Sequence, residues 1–172
     1  MNLQQAITAA NAVREALAPH CERIEIAGSI RRKRPICNDI DIVCIPKPYD
    51  TGLFESGIAT VINKWEKVKG ELPCKYTQRI HETGIKLEIY FAVPGNWGLI
   101  FAIRTGSADY AHKVLATGWV RKGYKSIDGW LWKVRYLDGG KFEKIKEIAT
   151  PEEEDVFRIV GADYVLPKNR EV

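Results

Sequence analysis

Two aspartates stand one residue apart at the start of a β-branched apolar segment, and this pairing restricts how the chain can fold. The segment DIDIVCIP, Asp39–Pro46, has the alternation of a strand that enters a core. Side chains at i and i+2 of a strand share a face, which puts the Cα atoms of Asp39 and Asp41 about 6.6 Å apart on one side. Like charges placed there repel unless a cation separates them, and carboxylate oxygens suit Mg²⁺ or Mn²⁺. The pattern favours a metal site over a solvated strand start, the explanation that would suffice for either aspartate alone.

A glycine, a serine and a basic run precede this strand. Gly28-Ser29 follows the strand-like segment RIEIAG and can open a helix whose free N–H groups face a phosphate. Arg31 and Arg32 would add charge-assisted contacts, whereas Lys33 and Arg34 are explained by a solvated loop. Neither of the common glycine-rich nucleotide loops is present. The order of Gly-Ser, arginines and Asp-x-Asp is therefore the informative signal.

A third carboxylate is available in the segment IKLEIYFA. Its alternation places Lys86, Glu88 and Tyr90 on one strand face and the apolar residues on the other. Lys86 and Glu88 could thus face the same cleft as the aspartates. An exposed strand residue paired with Lys86 is the alternative interpretation of Glu88.

The periodicity along the chain predicts two α/β lobes. An amphipathic helix ends near Pro19, a helix with apolar residues from Leu53 to Trp65 ends at Gly70, and two strands meet in a tight turn at Glu82–Gly84. A boundary falls near PGNWG, followed by two helical pieces separated by Gly106 and by a β-meander. Thr150, with Pro151 and Glu153, predicts the N-terminus of a last helix.

Length and composition exclude several classes of protein. The 172 residues, of which 45% are hydrophobic and 28% charged, suit a globular protein, and the apolar runs are too short to cross a bilayer. The net charge of +4 favours polyanionic partners only weakly. The N-terminal segment lacks the layout of a signal peptide, so we expect a soluble, intracellular protein with no membrane partner.

The motifs together resemble those of the family X DNA polymerases. The resemblance rests on Gly28-Ser29-x-Arg31-Arg32, Asp39-x-Asp41, the later strand carboxylate, and Thr105-Gly106-Ser107. The C-terminal segment, with Tyr164, Pro167 and Arg170 in order, also resembles that of the family, so the match spans roughly residues 3–171. In length, the chain resembles the minimal palm-plus-thumb form of the family, known from viruses. The resemblance implies a nucleotidyltransferase palm at 1–93, built on a mixed sheet with helices, and a small helix-plus-meander thumb at 94–172.

The resemblance also implies roles for individual residues. Two Mg²⁺ or Mn²⁺ ions would be held by three carboxylates and the incoming nucleotide by residues of both lobes. The metal ligands and catalytic residues would be Asp39, Asp41 and Glu88, and the nucleotide-binding residues Gly28, Ser29, Arg32, Asn38, Arg104, Gly106 and Ser107. Glu88 stands where family members usually have aspartate, Asn38 where a glycine is frequent, Ile103-Arg104 where an aromatic pair is common, and Ala111 where an asparagine is common. A cis peptide bond is expected between Gly106 and Ser107.

The implied activity is that of a DNA-directed DNA polymerase that fills short gaps during DNA repair. Its partners would be dNTP and gapped or primer-template DNA, and we expect a monomer in the cytoplasm of a microbe or a virus-infected host. Two alternatives differ in chemistry. A nucleotidyltransferase acting on RNA or a small molecule would keep the aspartates without needing this C-terminal lobe, and a non-catalytic DNA-end binder would bind gapped DNA equally with and without Mg²⁺.

Overall fold

The computed structural model describes residues 1–48 and 57–172. They form two units, Met1–Val93 and Pro94–Val172, each with its own hydrophobic core. The predicted α/β class with a mixed sheet and helices is confirmed. In the described part of the chain, no helix is both long and apolar enough to cross a membrane.

The first unit, called unit 1, is built on a five-stranded sheet with the strand order β1-β2-β5-β4-β3. Strands β2 and β5 run parallel, and the other neighbouring pairs are antiparallel. Its elements are α1 (Leu3–Leu17), β1 (Cys21–Ile26), α2 (Gly28–Arg31), β2 (Asp39–Pro46), α3 (Ile58–Ile62), β3 (Glu66–Lys69), β4 (Tyr76–Ile80) and β5 (Lys86–Phe91).

Helix α1 forms because its start is capped and its apolar face is buried. Asn2 and Gln5 form a capping box, in which each side chain accepts a hydrogen bond from the other's backbone N–H. The core on this side joins the helix to one face of the central strands. Its buried members include Ala6, Ala10, Val13, Ile40, Ile42, Leu87 and Ile89. Strand alternation therefore leaves the opposite face of β2 and β5 to their polar residues.

The helix predicted to run to Gly70 is much shorter in the structure. Helix α3 covers only Ile58–Ile62, and β3 follows at Glu66–Lys69; Leu53 lies outside the described residues. β3 pairs with β4 at the edge of the sheet, so ladder hydrogen bonds outweigh the helical spacing. The tight turn between β4 and β5 is confirmed, since His81 N–H donates to the Ile85 carbonyl at 2.9 Å.

The second unit, called unit 2, packs helices against one face of a three-stranded antiparallel meander. The meander is confirmed, with the strand order β6-β7-β8. Its elements are α4 (Trp97–Thr105), α5 (Ala108–Tyr110), a π-helical segment (Ala111–Ala116), α6 (Thr117–Arg121), β6 (Tyr124–Ile127), β7 (Trp130–Tyr136), β8 (Phe142–Ile148) and α7 (Glu153–Val160). The buried core contains Leu99, Leu115, Trp119, Leu131 and Phe157.

The last helix begins two residues later than the sequence predicts. The N-cap of α7 is Glu152 rather than Thr150, and Asp155 completes its capping box. Thr150 is fully buried, and its backbone N–H donates to the Gly95 carbonyl at 2.7 Å. This tertiary contact engages the Thr150 backbone outside the helix, which leaves the cap to the following acidic residues.

Candidate functional site

The predicted carboxylates meet on two neighbouring strands. Because β2 and β5 are parallel and in register, Asp41 lies opposite Glu88 and Asp39 lies opposite Lys86. Adjacent strands of a sheet are about 4.8 Å apart. Asp39, Asp41 and Glu88 are all half-buried. Two carboxylates are thus placed side by side, with the third two residues along the same strand face.

Gly28 brings the chain after β1 against this carboxylate group. Its backbone has a φ of +58°, and a Cβ atom built on it would lie 1.8 Å from Asp41 Oδ2. The neighbouring Ala27 N–H donates to the Asp41 carbonyl at 2.8 Å. Glycine is therefore required here both for the backbone conformation and for the close approach to Asp41.

The predicted nucleotide-binding residues of unit 1 surround the same strand end. Ser29 lies in the first turn of α2, and its Oγ is buried with no hydrogen-bond partner among the described residues. Arg32 caps the C-terminus of α2 and is close enough to lower the pKa of Asp39. Asn38 is exposed immediately before β2. An unsatisfied buried hydroxyl three residues before an arginine, about one helical turn away, suits an anionic ligand.

The surroundings of Asp39 disfavour its ionised form. Burial, followed by the charge of Glu88, raises the pKa of Asp39 above its ordinary value of 3.8, although Arg32 and Lys86 act in the opposite direction. Repulsion by Glu88 is the second cause of this rise, and a bound cation would relieve it. The oxygen-only donor set is the kind that Mg²⁺ and Mn²⁺ prefer.

Replacing Asp39 with asparagine should slightly stabilise the metal-free protein. A folded-state pKa above the unfolded value means that the ionised carboxylate destabilises the fold at neutral pH, and this cost disappears as the pH falls below 3.8. Solvent screening limits the gain at pH 7 to about 1 kcal/mol, or roughly 2–4 °C in Tm. Calorimetry at pH 7 and pH 3 should show a rise at pH 7 only. Glu22→Gln, on an exposed side chain of β1, is the control; a lower Tm for D39N at pH 7 would contradict the expectation.

Glu88 makes contacts that the sequence did not lead us to expect. Gln78 Nε2 donates to Glu88 Oε1 at 2.7 Å, and the Tyr90 hydroxyl donates to Glu88 Oε2. Glu88 is therefore not the exposed partner of Lys86 that the simplest alternative requires. The register of the predicted hairpin already contained this signal, because a turn centred on residue 83 places Gln78 opposite Glu88.

The three carboxylates do not form a ready metal cluster in the structure. Across residues 1–48 and 57–172, no group of three or more His, Cys, Asp or Glu side chains is arranged to hold a metal ion. Both oxygens of Glu88 are engaged by Gln78 and Tyr90 instead. Metal binding by Asp39, Asp41 and Glu88 therefore stays a prediction.

Three predicted site residues belong to unit 2, at the end of α4. Arg104 is exposed in the last turn, and Gly106 and Ser107 are extended residues between α4 and α5. The Ser107 side chain caps α5 by accepting a hydrogen bond from Tyr110 N–H at 3.1 Å. The expected cis bond between Gly106 and Ser107 is wrong, since the one cis peptide bond in the described chain joins Leu72 and Pro73. Nucleotide binding by these three residues stays a prediction.

Comparison with known proteins gives a match in structure but none in sequence. No protein-family model and no curated protein matches the sequence. The crystal structure of Leishmania infantum polymerase beta described as a ternary P/T complex aligns with 100% of this chain and 77% of its own, at a TM-score of 0.75 and 17% identity. The structure of the same protein described as a ternary gap complex aligns with 99% and 70%, at a TM-score of 0.73 and 18% identity. The resemblance to family X is thereby confirmed at the level of structure: this chain has the polymerase beta fold.

Proposed function

We propose that the protein is a DNA-directed DNA polymerase of the family X type, which adds a deoxynucleotide to a primer 3′-end in a short gap and releases pyrophosphate. The observation that carries the proposal is the placement of Asp41 beside Glu88 on parallel strands, with Gly28 packed against Asp41. The fold of a polymerase that has been crystallised in a gap complex supports DNA as the partner. Repair of short gaps is the role that this substrate suggests.

The donor set fits the divalent cations that such chemistry uses. Asp39 and Asp41 share a face, Glu88 lies opposite Asp41, and all three offer hard oxygen ligands. Glu88 would have to exchange a present hydrogen bond for the cation. Two bound Mg²⁺ or Mn²⁺ ions would make the primer 3′-hydroxyl easier to deprotonate and would offset the negative charge of the triphosphate.

The residues of unit 1 have distinct tasks in this proposal. The Ser29 hydroxyl and the Arg32 guanidinium group hold the non-reacting phosphates and so keep the α-phosphate in line with the attacking 3′-oxygen. Gly28 lets the backbone come close to Asp41 and to the bound nucleotide. Asn38 offers its backbone N–H to a phosphate at the exposed start of β2.

Extension of gapped DNA tests the proposal directly. Purified protein is incubated with a one-nucleotide gap, each dNTP in turn and Mg²⁺ or Mn²⁺, and we expect addition of one templated nucleotide. D41N should remove the activity without changing the fold as measured by circular dichroism. The proposal is wrong if wild-type protein binds the gap but adds no nucleotide with either ion.

A non-catalytic DNA-end binder is the second candidate, and the contacts of Glu88 favour it. Both carboxylate oxygens of Glu88 accept hydrogen bonds from protein donors, and these bonds do not require a bound metal ion. Such a protein would bind gapped DNA with the same affinity in EDTA and in Mg²⁺. A polymerase should bind dNTP and DNA together only when the divalent ion is present.

Sugar selection should be weak in this enzyme. Arg104 is exposed at the end of α4, where the family resemblance implies an aromatic residue that excludes the nucleotide 2′-hydroxyl. A flexible guanidinium group excludes a hydroxyl less strictly than a packed ring, and it can donate hydrogen bonds to it. We expect the ratio of kcat/KM for dNTP over rNTP to stay well below several-thousand-fold, which corresponds to roughly 5 kcal/mol. R104F should raise the ratio; strict selection by wild-type protein would contradict the prediction.

A further inference from the structure

The carboxylate of Glu88 is held by two donors that are themselves fixed by the sheet. Gln78 lies directly opposite Glu88 on the antiparallel neighbour β4, and Tyr90 follows two residues later on the same face of β5. The residues Gln78 and Tyr90 are only 8% and 7% exposed. The Tyr90 ring stacks on Tyr76, its cross-strand partner, with ring centroids 4.9 Å apart. Neither donor can follow the carboxylate far if it moves.

From these contacts we propose that Gln78 and Tyr90 are positioning residues that hold Glu88 in a resting position, away from the cation site, so that a divalent cation must displace the Tyr90 hydroxyl before Glu88 can bind it. This inference rests on the proposed metal site. It goes beyond the proposed function because it gives Gln78 and Tyr90 a role and because it makes cation binding weaker by the free energy needed to break the Tyr90–Glu88 hydrogen bond.

Electrostatics explain why the resting position exists. Without a cation, Glu88 lies opposite Asp41 and Asp39 lies two residues away on the same strand face, so the carboxylates repel one another. The two hydrogen bonds draw Glu88 toward β4 and the Tyr90 ring, and no cation-holding cluster forms among the described residues. A glutamate has one more side-chain torsion than an aspartate, which gives it the freedom to turn between the two positions.

A competing hydrogen bond lowers the apparent affinity for the cation. If only a fraction of the molecules have Glu88 released, the measured dissociation constant rises by the inverse of that fraction. Removing the Tyr90 hydroxyl should therefore strengthen cation binding. A residue with a purely structural role would leave binding unchanged or weaken it, so the direction of the effect is diagnostic.

Binding of Mn²⁺ to the full chain, followed by the electron paramagnetic resonance signal of the free ion, tests the proposal without any turnover. We expect Y90F to bind Mn²⁺ about tenfold more tightly than wild-type protein, which is about 1.4 kcal/mol. One hydrogen bond to a charged group has this scale. Y76F is the control: it removes the Tyr76 hydroxyl but keeps the ring that stacks on Tyr90, so the dissociation constant for Mn²⁺ should stay unchanged.

An aspartate at position 88 gives a second, independent test. The shorter side chain ends about 1.5 Å earlier and cannot reach the Tyr90 hydroxyl from the same backbone. Y90F should then have no effect on Mn²⁺ binding when it is added to E88D, and the double-mutant cycle isolates the contact. Equal or weaker Mn²⁺ binding by Y90F, relative to wild-type protein, overturns the proposal.

Extension of gapped DNA by the same samples separates this inference from the proposed function. Extension by wild-type protein without any effect of Y90F on Mn²⁺ binding means that only the inference is wrong. Tighter Mn²⁺ binding by Y90F without extension by any variant supports the resting position and contradicts the polymerase. Absence of Mn²⁺ binding to wild-type protein overturns the inference, whatever the extension assay shows.

Discussion

Replacing Glu88 with glutamine is expected to slow the chemical step of nucleotide addition by at least about a hundredfold, with little change in dNTP affinity. Glutamine keeps the length of the side chain. Its carbonyl oxygen can accept from Gln78 and its amide can donate to the Tyr90 hydroxyl oxygen, so both contacts survive. It loses the negative charge that the proposed mechanism needs near the 3′-oxygen. The triphosphate is assigned to Ser29 and Arg32 and should bind as before.

Single-turnover extension of gapped DNA separates these two effects. The dependence of the rate on dNTP concentration gives affinity, and its plateau gives the chemical step. Glu22→Gln makes the same chemical change at an exposed position of β1 and should leave both quantities unchanged. A plateau for E88Q close to that of wild-type protein would show that the third carboxylate lies elsewhere.

Replacing Arg170 with methionine is expected to destabilise unit 2 by about 3–5 kcal/mol. Arg170 is fully buried and Glu153 is 5% exposed. The guanidinium Nη1 donates to Glu153 Oε1 at 2.6 Å, and Nε donates to the Val165 carbonyl at 2.8 Å. The same group lies 4.9 Å from the centre of the Phe157 ring and 5.0 Å from that of Tyr164. Methionine would leave the Glu153 charge buried without its cationic partner.

Urea denaturation followed by tryptophan fluorescence measures this loss. Four of the five tryptophans, at positions 97, 119, 130 and 132, lie in unit 2, so the signal reports mainly on that unit. Arg158 provides a matched control because it is also ion-paired on α7, to Asp155 at 2.9 Å, but is 76% exposed. R158M should change the unfolding free energy by no more than about 0.5 kcal/mol.

A double variant distinguishes the lost ion pair from lost packing. Replacing both members of a buried pair with apolar residues is often close to neutral, so Glu153→Leu in the R170M background should recover most of the stability. If R170M and R158M unfold at the same urea concentration, the buried pair does not hold the C-terminal segment.

The sequence by itself determined the strand of Asp39 and Asp41 and the alternation around Glu88. Both follow from local chemistry: β-branched residues favour extended backbone, and a period of two separates polar from apolar faces. The turn at Glu82–Gly84 was likewise readable from its glycine and the flanking strands. The position of this turn also sets the register of the hairpin, which pairs Gln78 with Glu88.

The tertiary structure alone decided which strands became neighbours. Nothing in the sequence states that β2 and β5 run parallel and in register, which is what places Asp41 beside Glu88. Parallel strands are joined by long connections, so their pairing depends on the packing of the whole unit rather than on a turn. The steric requirement for Gly28 is visible only once Asp41 is placed against it.

The segments where sequence reasoning failed are those in which a long-range contact outweighed a local preference. Before Gly70, residues with helical spacing form a strand instead, because β3 pairs with β4. Thr150 does not cap the last helix, because its backbone N–H is hydrogen-bonded to the Gly95 carbonyl. Arg170 was recognised by its order in the C-terminal segment, but its burial against Glu153 spans 17 residues and required the folded core of unit 2. Local propensities amount to a few tenths of a kcal/mol per residue, whereas an unsatisfied buried polar group costs about 1–3 kcal/mol, so tertiary contacts decide where the two conflict.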